Sequence, residues 1–222
     1  MENKSSNDQR VLDVNSKVDF TLLDPRATKL DIEKLCDIAY KNRYYSVCVN
    51  PCNVSYAKGY ILKNFDGTLK VASVVGFPLG ANSTETKLFE VSQAIKDGAD
   101  ELDVVINIGK AKEGDFNYVQ NELSKIVKTA KHRLVKAIIE TCYFDENDII
   151  KLCKVCVKAK VAFVKTSTGF GTGGATEQNV SLIAREVAGR CRVKASGGVR
   201  TREQAIALIN LGASRIGTSH II

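Results

Sequence analysis

A chain of 222 residues, 44% of them hydrophobic, is long enough for one large core, and we read residues 17–222 as a single domain behind a short polar extension at 1–16. No apolar run reaches the ~20 residues of a membrane span and the opening MENKSSNDQR is too polar for a signal peptide, so a cytoplasmic protein with no membrane partner is expected. The net charge of +7 invites a nucleic-acid reading, but the lysines are dispersed; Lys34, Lys87, Lys125 and Lys151, among others, fall in helical segments interleaved with acids, which predicts solvated faces and no nucleic-acid partner.

After the extension, whose apolar anchors are Val11, Leu12 and Val14, the chain alternates. A strand at 18–22 precedes a helix at 28–41, where Leu30, Ile32, Leu35, Ile38 and Ala39 recur at helical spacing. The strand at 45–49 runs into Asn50 and Pro51, a cap and a first helical position, and so predicts a helix at 50–63. The pattern then repeats: a strand at 71–75, a helix at 83–96 closed by Gly98, a strand at 101–106, a helix at 115–131, a strand at 133–140 and a helix at 146–160. A strand at 162–166 leads to a helix at 176–188 capped by Thr176; a strand at 192–195 leads to a helix at 201–211 with Thr201 and Gln204 as a capping box; a short strand at 214–217 ends the series. Eight strands apolar on both faces and seven helices in strict alternation predict a parallel sheet closed into a (β/α)8 barrel, without a clear eighth helix.

Chemistry concentrates in AFVKTSTGFGTGG (162–174). Lys165 interrupts an apolar strand; buried there, its ammonium is disfavoured, and a neutral amine can attack a carbonyl. The glycines that follow, Gly169, Gly171, Gly173 and Gly174, let backbone N–H groups approach an anion. In a barrel of this kind functional side chains gather at the C-terminal ends of strands, which singles out Asp103, Lys136, Glu140, Lys165 and Lys194, with Thr166 beside the lysine. Two lysines and an aspartate in one mouth are coupled: Lys194, held charged by Asp103, would depress the pKa of Lys165, and Asp103 with a water could move protons. The alternatives at this stage are a lysine that snorkels out of its strand and a buried Asp–Lys pair that only closes the core. The seven cysteines form an odd set within apolar segments and read as reduced thiols; Cys153 and Cys156 lie in a helical pattern with no second ligand pair, so packing and no metal is expected.

The segments FVKTSTGFGTGGAT (163–176), ELDVVINIG (101–109), VVGFPLGANSTETK (74–87), VKASGGVRT (193–201) and RIGTS (215–219) resemble those of the deoxyribose-phosphate aldolases, a family of class I aldolases, and the likeness runs from Val18 to Ser219. The resemblance implies a barrel that reversibly cleaves 2-deoxy-D-ribose 5-phosphate to D-glyceraldehyde 3-phosphate and acetaldehyde with no metal or cofactor. It implies that Lys165 is the Schiff-base lysine and that Asp103 and Lys194 give or take protons. The phosphate would lie among Gly169, Gly197, Gly198 and the Gly217–Ser219 turn. Lys136, which could line the mouth or point outward, and Cys48, similar to a cysteine inside the family's barrel, are site-lining candidates. Self-association into a dimer or tetramer is expected. Two positions depart from the pattern: Phe20 stands where many relatives have histidine, and His220 follows Ser219 where a small residue is common. The competing readings are another phosphosugar barrel, such as an isomerase, and an inactive barrel that binds nucleic acid or acts as a scaffold.

Overall fold

The computed structural model describes residues 14–222, and in it seven of eight helices begin where a side-chain oxygen takes up an otherwise unpaired backbone N–H. These are α1 (Lys29–Lys41, capped by Thr28), α3 (Thr84–Lys96, Ser83), α4 (Ile108–Lys112, Asn107), α5 (Phe116–Ala130, Asp115), α6 (Glu146–Lys158, Asp145), α7 (Glu177–Val187, Thr176) and α8 (Arg202–Asn210, Thr201). The exception is α2 (Val54–Asn64), entered through a 3-10 turn at Pro51–Asn53. There the expected cap fails. Asn50 makes no capping bond, because its amide donates to the carbonyl of Leu23, 3.2 Å away. The short α4 was not expected; it forms because the Asn107 side chain accepts from Lys110 N and starts a turn inside what reads as a loop.

Between the helices run β1 (Val18–Leu22), β2 (Ser46–Val49), β3 (Lys70–Val75), β4 (Glu101–Val105), β5 (Leu134–Ile138), β6 (Phe163–Lys165), β7 (Arg192–Ser196) and β8 (Arg215–Thr218). They pair in parallel in chain order, and β8 closes on β1 with Val18 opposite Ile216 and Phe20 opposite Thr218. This is the eight-stranded (β/α)8 barrel. No helix follows β8 among the described residues; at Ile222 the backbone N–H and carbonyl both bond Tyr44 Oη at 3.1 Å. Of the extension expected at 1–16, residues 1–13 lie outside the described residues, while Val14 is buried and Asn15 bonds the Asn42 carbonyl and the Arg202 guanidinium. No helix among the described residues is long and apolar enough to cross a membrane.

Strand alternation sorts side chains into two compartments. Val47, Val71, Leu102, Val104, Val164, Val193 and Ile216 face the helices and join one continuous apolar core. Phe20 belongs to it too, its ring 5.4 Å from that of Tyr44, so this position points away from the barrel axis. Inside the barrel Leu23, Cys48, Ala72 and Val74 form a small separate apolar cluster with Phe77 packed against it.

Lys87 corrects the expectation of a solvated face. It is wholly buried, donating to Glu122 Oε2 and the Val105 carbonyl, both at 2.9 Å. The reason is local: α3 packs on α5, and Gly76 has no Cβ to obstruct the lysine methylenes, which would lie 2.9 Å from one. A buried pair tolerates neutral replacement of both partners far better than loss of one. Lys87→Met should therefore cost about 3–5 kcal/mol in urea denaturation, with Lys87→Met/Glu122→Leu recovering most of it; equal losses in the single and double variants would refute this account of the pair.

Candidate active site

The same alternation turns a set of charges inward. In β4, Leu102 and Val104 face the helices while Glu101 and Asp103 face the axis; in β6, Val164 goes out while Phe163 and Lys165 go in. Registers then bring the charges together, since Asp103 pairs with Lys136 across β4–β5 and Lys165 with Lys194 across β6–β7.

Asp103 is the hub. Its Oδ2 accepts from Lys165 Nζ and Lys194 Nζ, each at 2.7 Å, and its Oδ1 accepts from Lys136 Nζ at 2.8 Å. A second layer lies beneath. Lys194 Nζ also reaches Asp19 Oδ2 at 2.5 Å, Lys136 reaches Glu101 Oε2 at 2.6 Å, and Arg215 joins Asp19 at 2.7 Å and Glu101 at 3.0 Å. Ser46 Oγ donates to Asp19 Oδ1 at 2.7 Å. All these groups are buried, so solvent screens them little.

The signs of the shifts follow. Burial alone would raise the carboxyls of Asp19 and Asp103, yet Lys136 and the neighbouring cations outweigh it and hold both well below the usual carboxylate range. Burial also works against the Lys136, Lys194 and Arg215 cations, and their carboxylates overcome it, so all three rise. Lys165 goes the other way. Burial is the largest effect on it, Asp103 pulls upward, Lys194 repels, and the net is a lowered pKa. A charge count gives the same result: three carboxylates (Asp19, Glu101, Asp103) face four cations (Lys136, Lys165, Lys194, Arg215), and the lysine that can lose its proton most cheaply is Lys165.

Above this layer Lys165 opens into a cleft of about 630 Å³ lined by Thr168, Gly169, Ser196, Gly197, Gly198, Gly217 and Ser219. Gly197 and Gly198 adopt φ of +86° and +78°, a region that favours glycine, and so turn the backbone towards the cleft. Gly217 is required by space, since a Cβ there would stand 3.0 Å from Lys194 Cε. Among the described residues no acceptor meets the backbone N–H of Gly169, Gly197, Gly198 or Ser219. His220 is exposed at the rim, its N–H bonded to Thr218 Oγ1.

The expected residues thus take different places. Lys165, Gly169, Gly197, Gly198, Gly217 and Ser219 line the cleft, and Asp103 and Lys194 lie wholly buried beneath it, with Lys165 and Lys194 both bonded to Asp103 Oδ2. Lys136 points inward, not outward, and lies in the ion network. Cys48 is buried in the inner apolar cluster, and burial first, then Asp103, raises its thiol pKa. Thr166 does not line the cleft: its hydroxyl donates to the Ser196 carbonyl at 3.0 Å and accepts from Ser196 N at 3.1 Å, tying β6 to β7. Sequence reasoning missed Asp19, Glu101 and Arg215. Their signal was available as charged residues within apolar strands, but three or four positions ahead of the C-terminal ends where function was sought, whereas Asp103, Lys136 and Lys194 lie two positions ahead. Cys153 and Cys156 are buried free thiols, and no group of three or more His, Cys, Asp or Glu among the described residues is arranged to hold a metal.

Known proteins share this arrangement of chain and barrel. A family model described as DeoC/LacD family aldolase matches residues 7–218. The deoxyribose-phosphate aldolase of Thermococcus gammatolerans is 53% identical over 210 residues, 94% of this chain and 93% of that protein. That of Thermococcus kodakarensis is 54% identical over 204 residues, 91% of each chain. A tetrameric deoxyribose phosphate aldolase from Aeropyrum pernix matches with a TM-score of 0.87 at 35% identity, over 94% of this chain and 87% of that one. A buried lysine held between a carboxylate and a second lysine, in a barrel that these proteins match along nearly their whole length, places the chain in the DeoC/LacD family of aldolases.

Proposed function

We propose that this chain is a deoxyribose-phosphate aldolase, a lyase that reversibly cleaves 2-deoxy-D-ribose 5-phosphate to D-glyceraldehyde 3-phosphate and acetaldehyde in deoxyribose phosphate catabolism. The observation that carries the reading is the Lys165 amine, 2.7 Å from Asp103 Oδ2 and open to a cleft whose far wall is glycine backbone. Neutral Lys165 adds to C1 of the open-chain sugar and expels water, giving an iminium. The C3 hydroxyl then gives its proton to Asp103 through a water, and the C2–C3 bond breaks with its electrons flowing into the iminium. The products are glyceraldehyde 3-phosphate and a neutral enamine. Protonation of the enamine at C2, with Lys194 and Asp103 handling the proton, and hydrolysis of the resulting iminium release acetaldehyde and return the amine.

The iminium restores a fourth cation among three carboxylates, and when the C3 proton passes to Asp103 that cation and the Asp103 charge disappear together, so the bond breaks with no change in the net charge of a layer that solvent screens little. At the other end the free amides of Gly169, Gly197, Gly198 and Ser219 suit a phosphate dianion, and a barrel's last two strands commonly carry such a site. Lys136 touches no part of the cleft; its role is to keep Asp103 ionised. The enzyme acts from the single domain at 17–222, in the cytoplasm, as a dimer or tetramer; the tetrameric relative supports the last point.

Borohydride in the presence of acetaldehyde should add one reduced adduct to the folded protein, mapping to the peptide with Lys165 and absent from Lys165→Ala; an unchanged mass for the wild type would sink the aldolase reading. Asp103→Asn should lower kcat by roughly 10²–10⁴-fold, the usual range for loss of an acid–base group. Imine trapping should fail as pH falls through the lowered pKa of Lys165, because protonation removes the nucleophile. Lys194→Met takes away the repelling cation, so this acid limb should move to higher pH; an unmoved limb in a folded variant would show that Lys194 does not tune Lys165.

A further inference from the structure

Glu140 stands just beyond β5, buried and in a left-handed conformation with φ of 52°. Such a backbone is disfavoured for a residue with a Cβ and is held here by the bonds on either side of it. Its carboxylate makes no contact with the ion network around Asp103. Instead it takes both donors of one residue across the strand gap: Thr168 N lies 3.2 Å from each carboxylate oxygen, and Thr168 Oγ1 donates to Oε2. With its proton committed, the Thr168 hydroxyl can only accept, and it accepts from Phe170 N at 3.0 Å.

These bonds bracket Gly169, at φ of +88°, whose own N–H is left for the cleft. The glycine-rich loop is moulded on the same support. A Cβ on Gly171 would stand 3.3 Å from the Glu140 carboxyl carbon and 3.0 Å from Cys142 Sγ, and one on Gly173 would stand 3.2 Å from Cys142 Cβ. Thr141 N completes the seam by donating to the Thr166 carbonyl at 2.9 Å.

We propose that Glu140 is a positioning residue that fixes the Thr168–Phe170 turn, so that the Gly169 amide is aimed at the phosphate end of the substrate while the chemistry at Lys165 proceeds without it. The inference rests on reading the cleft as an aldolase site with a phosphate end. Glutamine at 140 keeps the shape but loses the charge and puts an amide NH2 where one oxygen now lies 3.2 Å from Thr168 N, a donor facing a donor, so the bonds that hold the turn weaken.

The test compares Glu140→Gln with wild type on deoxyribose 5-phosphate and on unphosphorylated 2-deoxyribose, and measures inorganic phosphate binding by calorimetry. The expected result is a KM for the phosphorylated sugar raised roughly tenfold at nearly constant kcat, phosphate binding weakened by a similar factor, and unchanged kcat/KM for the unphosphorylated sugar. Glu140→Asp, which keeps the charge but draws the carboxylate back by one methylene, should show the same split. An equal loss on both sugars, or no change in phosphate affinity, would overturn the proposal. Should Glu140→Gln not fold, Glu140→Asp decides alone by the same two readouts. A wild type that binds phosphate but cleaves neither sugar would remove the aldolase reading and still leave the phosphate comparison to judge Glu140.

Discussion

One carboxylate shared by three ammonium groups is the constraint on which the rest of this barrel depends. Asp103 has two oxygens for Lys136, Lys165 and Lys194, and none of the four side chains is appreciably exposed. Burying such a cluster is costly unless each charge is met, and the lower layer of Asp19, Glu101 and Arg215 meets the two lysines that must stay charged. Arg215 is further enclosed by aromatic faces, its guanidinium 3.6 Å from the Tyr45 ring centroid and 5.3 Å from that of Phe163. What remains unmatched is the proton on Lys165. The nucleophile is thus made by arithmetic among fixed charges, with burial as the larger contributor.

The second requirement is distance. An amine at one end of a five-carbon sugar phosphate and amides at the other must keep a constant separation, although the amides sit in loops beyond the ends of the paired strands. The loops after β6 and β7 are therefore knitted together: Thr166 and Ser196 exchange two bonds, Ser196 Oγ donates to the Ser167 carbonyl at 2.6 Å, and Ala175 N bonds the carbonyls of Ser196 and Gly197. A Cβ on Gly174 would come within 2.1 Å of the Gly197 carbonyl oxygen, so this seam admits only glycine. Composition that reads as loose in the sequence is tight in the fold.

That difference marks how far the sequence could be read. Strands and helices were legible because hydrophobic period, caps and glycine stops all agreed, and the predicted strand at 18–22 matches β1 in both ends. Lys165, Asp103 and Lys194 were legible because each breaks an apolar strand near its C-terminal end. Asp19, Glu101 and Arg215 break their strands too, but nothing local says that they support the others; only barrel closure brings β8 beside β1 and sets Arg215 against Asp19. Lys87 looked like a surface lysine since its partner Glu122 lies on another helix, and Thr166 looked like a site residue since its bond to Ser196 spans 30 positions. Pairings at long sequence separation are what a single chain read in order conceals.

The functional arrangement also sets how stability responds to pH. Asp19 and Asp103 have folded pKa values below their unfolded ones, so their contribution is present above the ordinary carboxylate range and is lost as pH falls below it. Lys136, Lys194 and Arg215 have raised values; their contribution is present below the ordinary lysine and arginine values and is lost as pH rises through the folded ones. Lys165 alone opposes folding when protonated. Its cost is full below its lowered folded pKa and fades as pH rises towards the ordinary lysine value, where the unfolded chain gives up the same proton. The one group in the network that weakens the fold is the one whose neutral amine the reaction needs, and the barrel tolerates it because every other charge in the layer is paired.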